Sequence, residues 1–508
     1  MKGMVLDMTE VLEKDLACFH GTLAAAEKYA HAAAVLSYDQ ETICPEKAME
    51  EQGEVGAMLQ TEAFRLIKGE AFISALKNLH GHTDELDEFD AAAVEKHYRS
   101  FEKTANITPE MNHEFALVYN RAFVNWLEAK NKADFSVFAP SLKEVRDIEI
   151  RKVGLRDSRM DNIYDNLLDD YEKGMTTGIL DETFSRCAAR LRPLLKKIMS
   201  GGKEIRTDFL SRPVSDAQQA EMARYLMEVL KYDFSRGAFT TTEHPFTSKL
   251  GRNDIRITTH YHADSFASSM YSIIHESGHA LFEMLSPSEN DDHHLDGKTM
   301  GQHESVSRFY ENRIGRSEAF IHLIYPKTCE IFPQVMHDVS EREFYEAMNL
   351  VTPSLIRTEA DEFTYTFHII IRYEIEKLIL SGEAAIEDLP RIWNDKYEEY
   401  LGIRPENDRE GVLQDTHWTF GFGYFPTYAL GNMYNAMYFH RMEKDLDIDA
   451  LVRAGDFDAV NGWMKENVFK KADRLDPGAW LREITGKEFA PDDFLDYLEE
   501  KYSALYGL

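Results

Sequence analysis

Apolar residues recur along most of this chain at the three- and four-residue spacing of amphipathic α-helices. The pattern predicts a first helix over residues 8–36 and a break at 37–46. Further helices are predicted at about 47–78, 84–105, 109–132, 140–155, 181–200 and 215–231. A polar loop follows at 286–302, after which helices are predicted up to about residue 400 and again from 426 to the C-terminus. Only 15 prolines and 28 glycines occur in 508 residues, so few positions interrupt this pattern. The fold is therefore predicted to be mainly α.

Residues 255–261 follow a different pattern, in which apolar and polar positions alternate with a period of two. Ile255 and Ile257 lie on either side of Arg256, and threonines follow. This segment is the clearest strand candidate, and it comes shortly before a helical segment that contains His275. We therefore predict a small β-sheet beside that helix. If the strand lies at an exposed edge, it could pair with an extended peptide.

The overall composition narrows the classes of function. Hydrophobic residues make up 44% of the chain and charged residues 29%, as in a globular protein with ample core material. The formal net charge of −32 argues against binding to nucleic acids or anionic membranes, because both need clustered Lys and Arg. No apolar run approaches the roughly 18 residues of a membrane span.

Two further features concern the cellular compartment. The four cysteines are widely scattered and form no CxxC pair, which is typical of a reducing compartment. The first ten residues carry acidic side chains where a signal peptide would have an uninterrupted apolar stretch. A cytoplasmic location is predicted.

The most specific motif is His-Glu-Ser-Gly-His at residues 275–279. On a helix, positions i and i+4 lie on one face, so His275 and His279 can offer two imidazoles to one metal ion. Glu276 projects to a different side of the helix, from which it could act as a general base without being a ligand. The alternative is a buried amphipathic helix whose histidines are satisfied by hydrogen bonds.

A catalytic zinc site needs a third protein ligand and an open fourth position. Glu304 is the candidate, since it opens another predicted helix 25 positions after His279. Its neighbour His303 is the competing candidate. The alternative for Glu304 is a helix N-terminal acid that interacts with the helix dipole. By contrast, His293 and His294 lie in an acidic segment that predicts a solvated loop rather than a primary metal site.

Five further segments accompany this motif in a recognisable order. They are His-Pro-Phe at 244–246, Asp-Ile-Arg-Ile-Thr at 254–258, His-Glu-Ser at 303–305, Ile-Arg-Thr-Glu-Ala-Asp at 356–361 and Gly-Val-Leu-Gln-Asp-Thr-His-Trp at 411–418. In these segments the chain resembles the thermostable carboxypeptidase (carboxypeptidase Taq) family of zinc metallocarboxypeptidases. Weaker similarity at 38–42, 164–176 and 423–432 extends the resemblance over most of the chain. Val306 and Tyr38 depart from the family, where Gln and Trp are common, which puts fine substrate preference in doubt.

The resemblance implies roles for several side chains. Arg357 would bind the free α-carboxylate of the substrate, because the planar guanidinium pairs with a carboxylate through two hydrogen bonds. Its alternative is an ion pair with Asp361, four positions later on one helix. Arg256 and His244 are further candidates for substrate binding. Arg256 could instead face solvent, and the segment that contains His244 could be a turn before the strand.

Two more residues are candidate catalytic groups in a segment dense with glycines and aromatic residues. His417 and Tyr424 could donate hydrogen bonds to the carbonyl oxygen on which negative charge develops. Tyr428 is the alternative tyrosine.

The sequence thus predicts a zinc-dependent carboxypeptidase that removes single C-terminal residues from peptides with broad specificity. One Zn²⁺ per chain is expected at His275, His279 and Glu304, and Co²⁺ could substitute. The alternatives are a zinc oligoendopeptidase acting on short peptides, and a helical scaffold with structural zinc or none.

The expected architecture is one domain over 1–508 with a deep active-site groove. Its parts are an N-terminal helical part at about 1–235, a zinc-site part at about 236–440 and C-terminal helices at 441–508. The expected partners are peptides with a free C-terminus, and the resemblance implies a homodimer.

Overall fold

The computed structural model describes residues 8–508 and confirms the mainly α prediction. The first seven residues, part of the segment used to predict that no signal peptide is present, lie outside the described range. The N-terminal helices are α1 Met8–Thr42, α2 Met49–Ile67, α3 Glu70–His80, α4 Glu88–Thr104, α5 Pro109–Lys132, α6 Ala139–Gly154, α7 Ile163–Tyr171, α8 Thr177–Gly201 and α9 Asp216–Val229.

The remaining helices follow a short β-region. They are α10 Phe266–Leu285, α11 Ser288–Asp292, α12 Met300–Arg308, α13 Glu318–Ile331, α14 Pro333–Met336, α15 Glu341–Met348, α16 Tyr365–Ser381, α17 Leu389–Leu401, α18 Pro426–Met442, α19 Ile448–Ala454, α20 Phe457–Met464, α21 Lys470–Ala472, α22 Pro477–Thr485 and α23 Asp492–Tyr506. Two π-helical segments, Phe309–Ile314 and Lys465–Phe469, continue α12 and α20.

The first predicted break was placed too early. Helix α1 runs through the polar residues up to Thr42, whose hydroxyl bonds back to the carbonyl of Tyr38. The helix ends only where Pro45, which cannot continue an α-helical hydrogen-bond ladder, follows. The predicted helix at 47–78 is two helices, because Gly69 adopts an extended conformation between α2 and α3.

A three-stranded sheet packs beside α10, as predicted. Its strands are β1 Phe239–Thr241, β2 Thr247–Gly251 and β3 Asp254–Thr259. The strand order is β1-β3-β2, with β1 parallel and β2 antiparallel to β3. The condition for pairing with a peptide, an exposed edge at 255–261, is therefore not met, because β3 is central and bonded on both sides. Ile255 and Ile257 are fully buried in the core.

Two hydrophobic cores organise the molecule. The large core extends from α5 to α23 and encloses α10, α12 and α18. A smaller core joins α1, α3 and α4, with Phe19, Phe72 and Leu76 at its centre. Leu295, from the loop between α11 and α12, is part of this smaller core. Within residues 8–508, no helix combines the length and apolar character needed to cross a bilayer.

Close helix packing sets the position of the predicted metal ligands. A Cβ atom at Gly278 of α10 would lie 2.7 Å from the Cα atom of Ser307 on α12. A Cβ atom at Gly431 of α18 would lie 2.7 Å from the Cγ atom of Glu304. Only glycine permits both approaches, so α12 is held between α10 and α18 with Glu304 turned towards the HExxH helix.

Candidate metal centre and active site

The structure brings the three predicted metal ligands together. The Nε2 atoms of His275 and His279 each lie 3.6 Å from Oε2 of Glu304. All three ligand atoms lie within 4.8 Å of one another. These separations are too long for hydrogen bonds, but two imidazole nitrogens and a carboxylate oxygen are the donor set of a catalytic zinc site. The residues present therefore fit a divalent metal.

The outward nitrogen of His275 is fixed by a buried carboxylate. Its Nδ1 atom lies 2.8 Å from Oε2 of Glu311, which belongs to the π-helical segment Phe309–Ile314. Burial works to raise the pKa of Glu311, but Arg308 and His275 hold that pKa well below its usual value. Carboxylate support of a ligand histidine orients the ring, and π-helical segments often occur at functional sites.

His279 is supported through a second histidine. Its Nδ1 atom lies 2.8 Å from Nδ1 of His303, whose Nε2 atom lies 2.7 Å from Oε1 of Glu283. Lys249 and Lys298 pair with the other oxygen of Glu283. Because His303 donates to this carboxylate, its Nδ1 accepts the Nδ1 proton of His279. The lone pair on Nε2 of His279 is then left for a metal, and His303 stands behind the ligand rather than replacing Glu304.

Glu276 is next to the ligands but points into a different contact. It is 8% exposed, and burial raises its pKa. Its Oε2 atom accepts a hydrogen bond from the Thr247 hydroxyl on β2 at 2.7 Å. A general base works best when its pKa approaches the operating pH, so this environment suits proton transfer.

A buried carboxylate supports the helix that carries Glu304. Glu172 accepts hydrogen bonds from the backbone N–H of Gly301 at 2.8 Å and the Tyr434 hydroxyl at 3.0 Å. Burial raises the pKa of Glu172 to about 7. A side chain at residue 301 would collide with this carboxylate, since a Cβ atom there would lie 2.5 Å from Oε2 of Glu172.

A second buried carboxylate fixes the segment that contains His417 and Tyr424. Glu376 accepts hydrogen bonds from Nε1 of Trp418 and the N–H of Gly423, both at 2.9 Å, and from a tyrosine hydroxyl of α7. Burial raises the pKa of Glu376 to about 7.

The three candidate donor side chains lie side by side. Nε2 of His417 lies 3.2 Å from the Tyr428 hydroxyl, and the rings of Tyr424 and Tyr428 are 5.3 Å apart. Burial lowers the pKa of His417 to about 4, so this ring is neutral at neutral pH. The pKa of Tyr424 is raised by burial and then by the negative charge of Glu304, which links this group to the metal ligands.

Arg357 has partners that differ from the sequence alternative. Its Nε and Nη2 atoms lie 3.0 and 2.8 Å from Oδ1 of Asp415, and Nη1 lies 3.1 Å from the Tyr365 hydroxyl. The alternative of an i, i+4 pair with Asp361 is wrong, because residues Arg357–Glu359 form a short 3₁₀ turn rather than a helix. Asp361 instead accepts N–H groups of the chain around Thr364.

The other two predicted substrate-binding residues lie on the sheet side. Arg256 forms two hydrogen bonds of 2.7 Å with Asp254 and lies 4.8 Å from the Tyr38 ring centre. His244 is exposed in the connection between β1 and β2. Within residues 8–508, no hydrogen bond or ion pair joins Arg256 or His244 to the three candidate metal ligands.

Sequence reasoning missed the residues behind the candidate ligands. Glu311, Glu283 and Asp415 hold histidines or arginines that the motifs identified, but none has a fixed spacing from a partner. Glu311 carries one usable signal, since it lies seven positions after Glu304 in a segment that was predicted to be helical.

This helical chain, with an HExxH helix and a glutamate from a second helix around one metal position, has the architecture of a metallopeptidase. The family model of the carboxypeptidase Taq (M32) metallopeptidases matches residues 19–502, and the chain belongs to this family.

Relatives resemble the chain over nearly its whole length. Carboxypeptidase 1 of Bacillus subtilis is 38% identical over 493 residues, covering 96% of this chain and 98% of the relative. Thermostable carboxypeptidase 1 of Thermus thermophilus is 36% identical over 487 residues, covering 93% and 95%. The crystal structure of an M32 carboxypeptidase from Deinococcus radiodurans has a TM-score of 0.94 at 32% identity, covering 97% of this chain and all of that one. The chain is thus a metallocarboxypeptidase, and the oligoendopeptidase alternative is not favoured.

Proposed function

We propose that this metallocarboxypeptidase is zinc dependent and releases single amino acids from the free C-termini of peptides with broad specificity. The observation that carries the proposal is a buried cluster with an excess positive charge close to the candidate metal ligands. Arg357 and Arg372 both pair with the single carboxylate of Asp415. His417, beside them, is neutral.

This arginine cluster lacks one anion. Oδ1 of Asp415 lies 2.8 Å from Arg357, and Oδ2 lies 2.6 Å from Arg372. Burial works to raise the pKa of Asp415, but the two guanidinium groups outweigh it and hold that pKa well below its usual value. Two buried guanidinium groups therefore share one carboxylate in direct contact, and Glu376, with its pKa raised to about 7, is only partly ionised, so a further negative group would be favourable there. The α-carboxylate of a peptide substrate would supply that charge.

A short chain of contacts links the cluster to the metal ligands. The Tyr365 hydroxyl bonds Nη1 of Arg357, and the Tyr365 ring lies 4.3 Å from the Arg308 guanidinium. Nε of Arg308 in turn bonds Oε1 of Glu304 at 2.7 Å. A carboxylate held at the arginine cluster would place the last peptide bond near the metal, which is the requirement of an exopeptidase.

The metal is proposed to be one Zn²⁺ per chain, held by His275, His279 and Glu304, with Co²⁺ as a possible substitute. When bound, a divalent metal at this position supplies polarisation of the scissile carbonyl and acidification of water. Mixed imidazole and carboxylate donors suit zinc better than calcium or magnesium, which prefer oxygen ligands.

Glu276 is proposed as the general base. It accepts a proton from the attacking water and delivers that proton to the leaving amine. Thr247 holds Oε2 through its hydroxyl, so the carboxylate keeps a fixed orientation while its protonation state changes.

Tyr424 is the preferred donor to the carbonyl oxygen of the scissile bond. Its hydroxyl donates to the weakly accepting sulfur of Met300 at 3.8 Å and accepts a hydrogen bond from Tyr428, whose hydroxyl also lies 3.2 Å from Nε2 of His417. Because its own acceptor is weak, the Tyr424 hydroxyl can donate instead to the negative charge that develops in the transition state. His417 then orients Tyr428 or donates in its place.

Arg256 and His244 are proposed to contact the peptide upstream of the scissile bond, because the sheet supplies Thr247 to Glu276 from the same side. We further propose one domain over 1–508, with parts at about 1–235, 236–440 and 441–508, and a deep active-site groove.

A homodimer and a cytoplasmic location are also proposed. Helix α5 supports the first, because Leu117, Phe123, Val124 and Leu127 are 45–56% exposed along it. Large apolar side chains exposed on one helix suit an interface between two copies of the chain. Light scattering of the wild type and of Leu127→Glu tests this point.

The metal assignment has a direct test. Metal analysis of the purified protein should give one tightly bound zinc, lost together with activity on chelation and restored by zinc or cobalt. Replacing His275 or Glu304 by Ala should remove the metal. If either variant kept the metal and wild-type activity, the ligand assignment would be wrong.

A further inference from the structure

A second group of potential metal ligands lies outside the active site. It consists of His20 on α1, Asp90 on α4 and His293 directly after α11. Nε2 of His20 and Nδ1 of His293 lie 3.1 and 2.6 Å from the same oxygen, Oδ1 of Asp90. All three ligand atoms lie within 4.8 Å of one another, as they do in the catalytic trio. Sequence analysis interpreted this histidine as part of a solvated loop.

We propose that His20, Asp90 and His293 form a second binding site for a zinc-class divalent metal ion, separate from the catalytic metal. The site shares no residue with the catalytic centre. Its ligands come from three different helical segments, so an ion there cross-links parts of the fold that are distant in sequence.

The donor chemistry favours zinc over calcium or magnesium. Two imidazole nitrogens and one carboxylate oxygen are borderline donors, whereas calcium and magnesium select oxygen ligands. Asp90 is only 7% exposed. Burial works to raise its pKa, but the hydrogen bonds with His20 and His293 outweigh this effect, lower the pKa and keep the carboxylate anionic. A buried anion with two imidazoles on one oxygen is a strong attractor for a divalent cation.

The ring of His20 carries the second observation. Its Nδ1 atom is buried and has no hydrogen-bond partner among the described residues. In a hydrogen-bonded structural histidine both nitrogens normally find partners, because an unsatisfied buried polar atom is costly. Only Nε2 makes a polar contact, and it is aimed at Asp90, while the rings of Phe19 and His294 pack against His20 and help to hold it in this orientation.

The present distances describe a geometry close to a metal site. Tetrahedral zinc bonds of about 2.0–2.1 Å place neighbouring ligand atoms roughly 3.3 Å apart. The His20–Asp90 distance of 3.1 Å already matches, and the His293–Asp90 distance of 2.6 Å must widen. Both imidazole side chains are 28% exposed, so they have room to rotate. On binding, the ion replaces the protons that the imidazoles share with the carboxylate, and each proton moves to the other ring nitrogen or is released to solvent.

The position of the site indicates what the ion would do. Helices α1 and α4 belong to the smaller core, whereas His293 lies on the connection between α10 and α12, which carry the catalytic ligands. Next to the triad, His294 pairs with Glu27 of α1 at 2.7 Å. An ion would fasten the N-terminal helices to the connection behind the catalytic centre. With three protein ligands, the ion would keep a fourth position open for water.

The experiment counts metal ions in a background without the catalytic site. A His275→Gln, His279→Gln double variant is dialysed against micromolar zinc at pH 7.5, and bound zinc is measured by elemental analysis. We expect one equivalent per chain, and none when Asp90→Asn or His20→Gln is added. His294→Gln, a matched change of the adjacent histidine, should keep the equivalent. Circular dichroism confirms that each variant is folded.

A second measurement links binding to stability. In the same background, zinc should raise the midpoint of thermal unfolding, because a ligand that binds only the folded state stabilises it. The shift should vanish with Asp90→Asn and persist with His294→Gln. The proposal is overturned if the double variant binds no zinc, or if the Asp90 and His20 variants bind as much as their parent. Loss of zinc in the His294 variant as well would equally overturn the assigned ligand set. The loss of one equivalent on adding Asp90→Asn or His20→Gln does not depend on the catalytic assignment, because the parent and the added variant carry the same catalytic substitutions.

Discussion

Nδ1 of His303 lies 2.8 Å from Nδ1 of His279, and Nε2 of the same His303 ring lies 2.7 Å from Oε1 of Glu283. The two candidate ligand histidines are therefore supported in different ways, His275 by Glu311 directly and His279 through a second imidazole. His303, which the sequence offers as an alternative to Glu304, contacts the candidate ligand His279 in the structure instead of taking the place of Glu304.

Removing this support should weaken metal binding without abolishing it. His303→Ala leaves Nδ1 of His279 without its acceptor, and loss of an outer partner of a metal ligand typically reduces affinity about 10–100-fold. His303→Gln offers an amide oxygen in its place and should recover part of the affinity. Competition with a chromophoric chelator measures both variants. Unchanged zinc affinity in the Ala variant would show that the contact plays no part in holding the ligand.

Glu276→Gln should separate catalysis from metal binding. The amide cannot take a proton, and loss of a general base costs about 10²–10⁴-fold in rate. Zinc content should stay at the wild-type level, because Glu276 is not one of the three candidate ligands. The matched control is Glu289→Gln on the exposed surface of α11, which should keep full activity. A Glu276→Gln enzyme with near wild-type kcat would rule out this base.

Arg357→Ala tests recognition of the substrate carboxylate. A lost charge-assisted contact contributes on the order of 1.5–3 kcal/mol, or roughly tenfold to a hundredfold in kcat/KM. Asp415 retains Arg372 as a partner in this variant, so the carboxylate is not left unpaired. Zinc content should not change, and Arg391→Ala, at an exposed arginine of α17, serves as the control.

Comparing peptides with a free and with an amidated C-terminus separates loss of carboxylate binding from a general folding defect. The Arg357→Ala change should lower efficiency on peptides with a free C-terminus and have little further effect on amidated ones. A general folding defect would depress both alike. An equal loss on both substrates would assign Arg357 a structural role.

The raised pKa of Glu376 predicts that this side chain makes a pH-dependent contribution to the free energy of unfolding. Its pKa is about 7 in the folded protein against 4.5 for the free side chain, so the folded state binds more protons between these values. Stability from this group is therefore greatest below pH 4.5 and is lost as the pH rises to 7. Each pKa unit corresponds to about 1.4 kcal/mol, so the full loss is on the order of 3 kcal/mol.

The Glu376→Gln variant isolates this effect from that of Glu172, which has a similarly raised pKa. Gln stays neutral at every pH, so the stability deficit of the variant should shrink between pH 5 and pH 8. Denaturant unfolding of both proteins across this range measures the difference. A deficit that stays constant with pH would contradict the raised pKa.

Local patterns predicted much of the helical architecture. The predicted start at residue 215 agrees with α9, whose N-cap Ser215 forms a capping box with Gln218 in the structure. β3 was found because its alternation is clear, whereas β1 and β2 have only three and five residues without a marked period. Helix bounds near Thr42 and Gly69 were missed, because the polar residues before Pro45 continue α1 and a single glycine, Gly69, is enough to separate α2 from α3.

Some residues of the candidate site could likewise be predicted from the sequence, and others could not. His275, His279 and Glu304 could be predicted because a helix turns a fixed spacing into a fixed geometry. Asp415 could not be paired with Arg357, since they are 58 positions apart and only the fold joins them. The triad around Asp90 was missed for the same reason, because its members are 70 and 203 positions apart (90 − 20 and 293 − 90).

The central claim is that the enzyme removes residues from a free C-terminus, and one measurement tests it directly. The zinc-loaded wild type is incubated with one peptide made in two forms, with a free and with an amidated C-terminus, and the products are followed by mass spectrometry over time. The free form should shorten stepwise by single C-terminal residues, while the amidated form stays largely intact. Internal cleavage of both forms at equal rates would contradict the account.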